Sequence, residues 1–390
     1  MDDSYQMLKV VGLSMTVAVI AFAVHLLLGR RTKRRDQVVL LAGFLVIYGA
    51  FKLDALLLES GFYLAAPHIS GVMVFARFLL PPAIFFYARA MTSPAPRWLD
   101  RRDLWAALWP CAFVAAMAPV YLQDARVKAE MIAGDLTASP QGGYVALLCK
   151  ISFVAFLGVA ITYLVLSLNL LRAHGVRIRD AFSNIDDLAL NWLAHVLLVL
   201  VVGWAWIVVG DFFAIWRLRP PWYPTLTIYL ELAWIGFIAL SGVNQPSLYE
   251  APAAATNAAS EGYARSALSR EQMARIGAKL DRALAQDRLH VDPNLSLHTL
   301  SAHIGVSENY VSETLNKHLG VNFFEFVNRR RIDDACALLR AGDCSVLSIA
   351  YEVGFNSRST FHAAFKKHLG ASPHAFRKAG PQPQGEGTQA

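Results

Sequence analysis

Leu300-Ser301-Ala302-His303-Ile304-Gly305-Val306-Ser307 and Ile349-Ala350-Tyr351-Glu352-Val353-Gly354-Phe355-Asn356 carry one pattern twice, about fifty residues apart. Each copy runs on to the same tetrapeptide, Lys317-His318-Leu319-Gly320 and Lys367-His368-Leu369-Gly370. In each, a short helix ends at a glycine suited to positive φ, Gly305 or Gly354. A hydrophobic residue, Val306 or Phe355, then pins the turn. A polar cap opens the next helix, Ser307 in the first copy and Asn356 or Ser357 in the second. That helix has an apolar inner face (Val311 and Leu315; Phe361 and Phe365) and a polar outer one. The pattern predicts two helix-turn-helix units, whose second helices suit the major groove of a duplex with their N-terminal residues at base edges.

The flanking sequence completes a helical domain over residues 269–378. Ser269 caps a helix running to about Gln286, with Met273, Ile276, Leu280 and Leu284 at helical spacing. Asp292-Pro293 breaks the chain. Between the two copies, Asn322 to Arg340 reads as one longer amphipathic helix, with Phe323, Phe326, Val327, Ile332, Leu338 and Leu339 on its core face. Residues 244–268, rich in Ala, Ser and Pro, read as a flexible tether with an r.m.s. span of roughly 25–30 Å. Residues 379–390 read as a disordered Gly/Pro/Gln-rich tail.

This region resembles the DNA-binding domain of the AraC/XylS family of bacterial transcription activators. The matching residues are Gly305, Ser307, Gly320, Arg331-Ile332, Ala335, Leu338 and Leu339, then Ile349-Ala350, Gly354-Phe355, Ser357, Phe361, Phe365-Lys366-Lys367, Gly370, Pro373 and Arg377. The resemblance implies two recognition helices entering successive major-groove faces of one duplex. It places base-edge candidates at Asn309, Ser312 and Glu313 in the first, and at Arg358, Ser359, His362 and Ala363 in the second. Arg358 is the strongest of these, because arginine reads guanine bidentately or grips phosphate. Lys317, Lys366 and Lys367 are phosphate candidates, with Arg329 and Arg330 beside them. Arg331 is expected to fold back into the structure. The implied partners are double-stranded promoter DNA and RNA polymerase.

Two departures from the family pattern stand out. Glu308 and Glu313 place acids in the first recognition helix, and Ala363 stands where an arginine is common. An acid there repels phosphate, though it can accept from cytosine N4. Intrinsic DNA affinity is therefore expected to be low, with reliance on the second helix or on a homodimer.

The rest of the chain is of another kind. Of 390 residues, 55% are hydrophobic and only 17% charged, against about 25% charged in an ordinary soluble domain. All nine Trp lie in residues 1–243. Apolar stretches near 8–28, 37–57, 70–90, 104–122, 145–171, 190–215 and 224–243 are each long enough for a spanning helix, which needs about 20 residues. The expected fold is therefore all-α, a seven-helix transmembrane bundle (1–243) followed by the tandem helix-turn-helix domain. Seven spans ahead of such a domain resemble a membrane-bound subgroup of the same regulators. Pro81-Pro82 are expected to kink the third span. The acidic leader Met1-Asp2-Asp3 and the basic cluster after the first run speak against a cleaved signal peptide.

Loop charge sets the orientation. The loops after spans 1, 3 and 5 are basic (Arg30 to Arg35; Arg97, Arg101, Arg102; Arg172, Arg177, Arg179). The loop after span 2 has no Lys or Arg, and the loop after span 4 offsets its two with acids. Arg217 and Arg219 after span 6 are a mild exception. The chain is thus expected in the inner, cytoplasmic membrane of a bacterium, with its N-terminus outside and its last domain inside.

On that orientation Lys52, Asp54, Arg77, Lys150, Asp211 and Glu231 all fall in the outer part of the bilayer. Such groups are costly in lipid and face a bundle interior or a wet cavity. Two readings stand open: a polar pocket for an unknown ligand, or ion pairs that hold the bundle together. Four cysteines form no CxxC pair and read as reduced, buried thiols, so neither a metal site nor a cofactor follows. The last run has no Lys for a retinal Schiff base, no HExxH motif occurs, and no repeat divides the spans as in many transporters. No nucleotide loop or catalytic triad points to an enzyme. The alternative to a DNA-binding regulator is a transporter or scaffold whose last domain binds a protein.

Overall fold

The computed structural model describes residues 2–133, 142–244 and 268–379, apart from 72, 187, 189, 216, 217, 219 and 343. The sequence-predicted tether (245–267) and tail (380–390) lie outside these. Among the described residues the fold is all-α, with one isolated antiparallel bridge, Phe182 to Ser296. Chain contacts divide it into two units, one of residues 1–172 and 190–249, the other of 173–189 and 250–390. Residues 173–189, read from the sequence as a loop of the membrane region, therefore cluster with the helix-turn-helix domain.

The first unit contains α1 (Asp2–Gly29), α2 (Arg35–Glu59), α3 (Phe62–Ala65), α4 (Leu80–Thr92), α5 (Leu108–Tyr121), α6 (Ala125–Ala133), most of α7 (Gly142–Ala181), α8 (Asn191–Ile215) and α9 (Trp222–Asn244). Helix α1 packs on α2 and α9, and α2 on α4. The buried stripe of α1 is Leu13, Thr16, Ile20, Ala23 and Leu27, at spacings of three and four, which put these residues on one face. Its outer face is also apolar: Phe22 is 65% exposed, as are Val154 on α7 (69%) and Leu240 on α9 (66%). Large exposed apolar surfaces of this kind are rare in water and mark contact with lipid or protein.

Five helices among the described residues are long and apolar enough to cross a membrane: Ser4–Gly29, Arg35–Glu59, Lys150–Ala181, Asn191–Gly210 and Trp222–Val243. The stretches expected as third and fourth spans are not single α-helices. A six-residue 3₁₀ turn (Val74–Leu79) precedes α4, and a seven-residue one (Arg101–Ala107) precedes α5. Pro81 and Pro82 do not kink a helix; they sit in the first turn of α4. A first-turn proline gives up no helical hydrogen bond, because its missing N–H would have no partner there.

The second unit contains α10 (Arg270–Ala285), α11 (Leu297–Ile304), α12 (Glu308–Glu313), α13 (Phe323–Ala341), α14 (Val346–Glu352), α15 (Arg358–Leu369) and α16 (Pro373–Ala379). Ser269 caps α10 in a reciprocal box with Gln272. Helix α13 divides its buried face between two cores. Phe323 and Val327 join Leu280, Leu300, Val311 and Leu315 in one. Ile332, Ala335 and Leu339 join Ile349, Phe355, Phe361 and Phe365 in the other. The apolar period read along 322–340 therefore serves two helix-turn-helix units from one rod.

The cysteines depart from expectation. Cys111 and Cys344 are exposed thiols and Cys336 is half-buried; the side chain of Cys149 lies outside the described residues. Burial there is set by which face of the helix or loop meets the core, and an apolar neighbourhood in sequence does not decide that.

Candidate nucleic-acid interface

The first helix-turn-helix starts at Ser296, which caps α11 through Thr299 N–H at 3.1 Å. The helix ends at Gly305, φ 64°, a left-handed position that costs a glycine nothing. Val306 N–H then donates back to Ser301 O at 3.1 Å, fixing the turn. Ser307 has the extended backbone of a cap but makes no side-chain cap bond, contrary to the expectation for it. Helix α12 is short. Residues Thr314–Leu319 continue it as a π-helical turn that ends at left-handed Gly320.

The second unit is more regular. Ser345 caps α14 through Ser348 N–H at 3.0 Å. Gly354 has φ 97°, and a Cβ there would sit 2.7 Å from His290 O and 2.8 Å from Val291 O. Both conformation and close backbone approach require glycine at this turn. Ser357 rather than Asn356 caps α15, accepting from Thr360 N–H at 3.2 Å. Phe361 and Phe365 are fully buried and stack edge-on against each other.

On α15 the outward set is Arg358, Ser359, Ala363, Lys366 and Lys367, all exposed, with His362 half-buried. Lys367 is ion-paired with Glu325 of α13, and this pairing holds the Glu325 carboxyl below its usual range. Burial, with Arg358 and His374 nearby, pushes the His362 imidazole below its ordinary value, so the ring is neutral at physiological pH. Its Nε2 is buried and has no hydrogen-bond partner among the described residues.

On the first helix the picture differs. Asn309 and Ser312 are half-exposed. Glu313, expected on the outer face, is 4% exposed and bonds Lys317 Nζ at 2.8 Å. Glu308 bonds His298 Nδ1 at 2.6 Å. The two acids that set this helix apart are thus engaged within the domain, and the outward acidity inferred from the sequence is corrected. Arg329 is exposed and Arg330 pairs loosely with Asp334 at 3.4 Å. Arg331 folds inward as expected. It is 0% exposed, bonds His290 O (2.7 Å) and Asp292 O (2.8 Å), and lies over the Phe355 ring. Burial brings its guanidinium down to about 10, with Asp292 opposing the shift, and it stays charged.

Among the described residues, the charged groups expected together in the first unit have separate partners. Lys52 pairs with Glu231 at 2.5 Å. Asp54 instead accepts from Tyr63 Oη at 2.7 Å. Arg77 lies over the Phe78 and Phe113 rings, and Lys150 is exposed. The side chain of Asp211 lies outside the described residues. A cavity of about 280 Å³ does open among α2, α4, α7, α8 and α9. Phe44, Tyr48, Phe156, Trp204 and Trp234 line it, with Glu231 as its charged group. Sequence reading missed these aromatics because in an apolar run they look like any lipid-facing residue.

Comparison with known proteins places the second unit. The helix-turn-helix domain family matches residues 300–379. Over 101 residues the chain is 33% identical to the regulatory protein PocR of Salmonella typhimurium, covering 26% of this chain and 33% of PocR. Over 98 residues it is 31% identical to the probable transcription factor PqrA of Proteus vulgaris, covering 25% of this chain and 80% of PqrA. The chain thus spans about a third of the length of the first of these relatives and most of the second. Among solved structures, the C-terminal domain of AraT, a response regulator from Geobacillus stearothermophilus, is 25% identical with a TM-score of 0.24. That match covers 30% of this chain and 90% of the other.

Proposed function

The chain belongs to the AraC/XylS-type family of helix-turn-helix regulators, and from that premise we propose that it is a membrane-embedded, non-enzymatic transcriptional regulator. Its first unit sits in the inner membrane of a bacterium, N-terminus outside, and senses a membrane or extracytoplasmic signal. Its second unit binds promoter DNA from the cytoplasm and acts on RNA polymerase. The observation that carries this reading is α15, a capped helix on a phenylalanine core that turns Arg358, Ser359 and Lys366 outward.

The membrane part is supported by five long apolar helices with apolar outer faces and by the alternation of loop charge. Two further spans, over the expected stretches near 70–90 and 104–122, would complete the count of seven. The aromatic cavity beside Glu231 is a suitable ligand site, because pockets are mainly apolar with a few placed polar groups. A homodimer would present two DNA-binding units and raise avidity through effective concentration. The rival scaffold reading drew on the acidic first helix, and the burial of Glu313 weakens it.

The test is a pair of reporter fusions to the end of the chain, with fractionation of the host cells. The expected result is a membrane-associated protein with a fluorescent cytoplasmic fusion and an inactive alkaline phosphatase fusion. An active phosphatase, or a protein recovered without membranes, overturns it.

A further inference from the structure

Residues Ala173–Ala189 comprise the last turns of α7 and the link to α8, yet they cluster with the helix-turn-helix unit. The segment is shaped by its own bonds. His174, 3% exposed, donates through Nε2 to Leu188 O at 3.1 Å. Asp186 N–H donates to Asn184 Oδ1 at 3.2 Å.

It meets the domain in two places. The first is the junction between the halves. Ser183, 1% exposed, donates its N–H (3.1 Å) and its hydroxyl (2.7 Å) to Leu295 O. Its carbonyl accepts from Arg331 Nη1 at 3.2 Å, and its Oγ accepts from Arg331 Nη2 at 3.1 Å. Phe182 bridges Ser296, the residue that caps α11. The second place is the first turn of the second recognition helix, where the Thr360 hydroxyl donates to Asp186 Oδ1.

Two pieces of chemistry give this contact a consequence. The N-terminal end of a helix attracts anions, through its orphan N–H groups and its dipole. In a DNA complex the anions near a recognition helix are backbone phosphates. A carboxylate at Thr360 stands in their way and repels them. The contact is also incomplete: Asp186 Oδ2 is buried with no hydrogen-bond partner among the described residues. An unmet buried acceptor opposes docking, so the Asp186 end of the contact works against the hold of the Ser183 bonds.

The geometry points to an intramolecular clasp: residues 182–186 dock on the helix-turn-helix unit through Ser183 and Asp186 and compete with DNA at the start of α15. This rests on the DNA-binding reading above and adds a regulatory contact to it. The clasp is covalently continuous with two apolar helices, so a signal that favours one arrangement of those helices shifts the equilibrium between clasped and free domain. The 245–267 connection is then not the sole route between the regions.

The experiment uses the full-length chain in lipid nanodiscs, with a random-sequence duplex pool as the DNA probe. Hydrogen exchange over 182–186 reports docking in the same samples. In the wild type the Ser183 amide is protected, and the Ser183→Ala/Asp186→Ala variant loses that protection and binds the duplex about fivefold more tightly or better. Asp186→Asn keeps the Ser183 bonds and gives part of the gain. An unprotected Ser183 amide in the wild type overturns the clasp. So does equal DNA affinity in wild type and variants despite protection, and in that case the DNA-binding reading stands. If no chain binds the duplex, the functional reading fails and the competition fails with it.

Discussion

The two helix-turn-helix halves share one plan and differ in how fully they carry it out. The second has a side-chain cap at Ser357, a regular twelve-residue recognition helix and a phenylalanine core. The first has an uncapped Ser307, a six-residue α-helix that relaxes into a π-turn, and an acid at Glu313 turned inward. The exposed basic groups are also unevenly divided, with Arg358, Lys366 and Lys367 on the second recognition helix and Lys317 on the first. Repetition in sequence thus sets position, while caps and core set how regular each copy is. DNA affinity should rest mainly on α15.

The largest expected effect tests whether the halves have separate cores. Phe361→Ala removes a fully buried ring and should cost about 3–5 kcal/mol. Hydrogen exchange should show protection lost across α14 and α15 and largely kept across α11. Equal loss in both would mean that α13 joins them into one cooperative core. Next in size is the comparison of readers. Arg358→Ala in the full-length protein should weaken duplex binding by about 1–3 kcal/mol, while Asn309→Ala changes it less; the reverse order would break the asymmetry.

Smaller still is the cap contrast. Ser357→Ala should cost about 1 kcal/mol, seen as fraying of the first turn of α15. Ser307→Ala, with no cap bond to lose, should leave the first turn of α12 unchanged. The smallest effect is one of pH. The folded domain favours neutral His362, so its ring should titrate below about 6.5, the ordinary histidine value. Protonation as pH falls below that range then costs stability, because the unfolded chain takes up the proton more readily. An NMR titration in which the resonance lost in His362→Gln has an ordinary midpoint would contradict this.

Much of the second unit was legible in the sequence. The repeat of Gly305 and Gly354, the apolar pairs Val311/Leu315 and Phe361/Phe365, and the period along α13 are local signals, and local signals fix local structure. The inward turn of Glu313 was not legible, because a charged residue reads as exposed unless its partner and the pitch of its helix are known. The docking of 173–189 was hidden for a related reason. Its anchors are backbone carbonyls, Ser183 and Asp186, and a carbonyl, a serine or an aspartate in a loop carries no sign in the sequence of what it will bind. In the first unit, apolar runs announce spans but not their pitch, so the 3₁₀ geometry of 74–79 and of 104–107 inside the expected spans is not legible. The charged residues are legible singly, but the Glu231 partner of Lys52 lies 179 residues away, and nothing in the sequence marks Tyr63 as the hydroxyl that engages Asp54.

The most direct test is genome-wide DNA occupancy of the full-length protein in growing cells, compared with Arg358→Ala at equal membrane abundance. The wild type should occupy a discrete set of promoters, and the variant should lose most of them. No enrichment above an untagged strain, or the same sites held equally by the variant, would contradict a membrane-tethered regulator that reads DNA through α15.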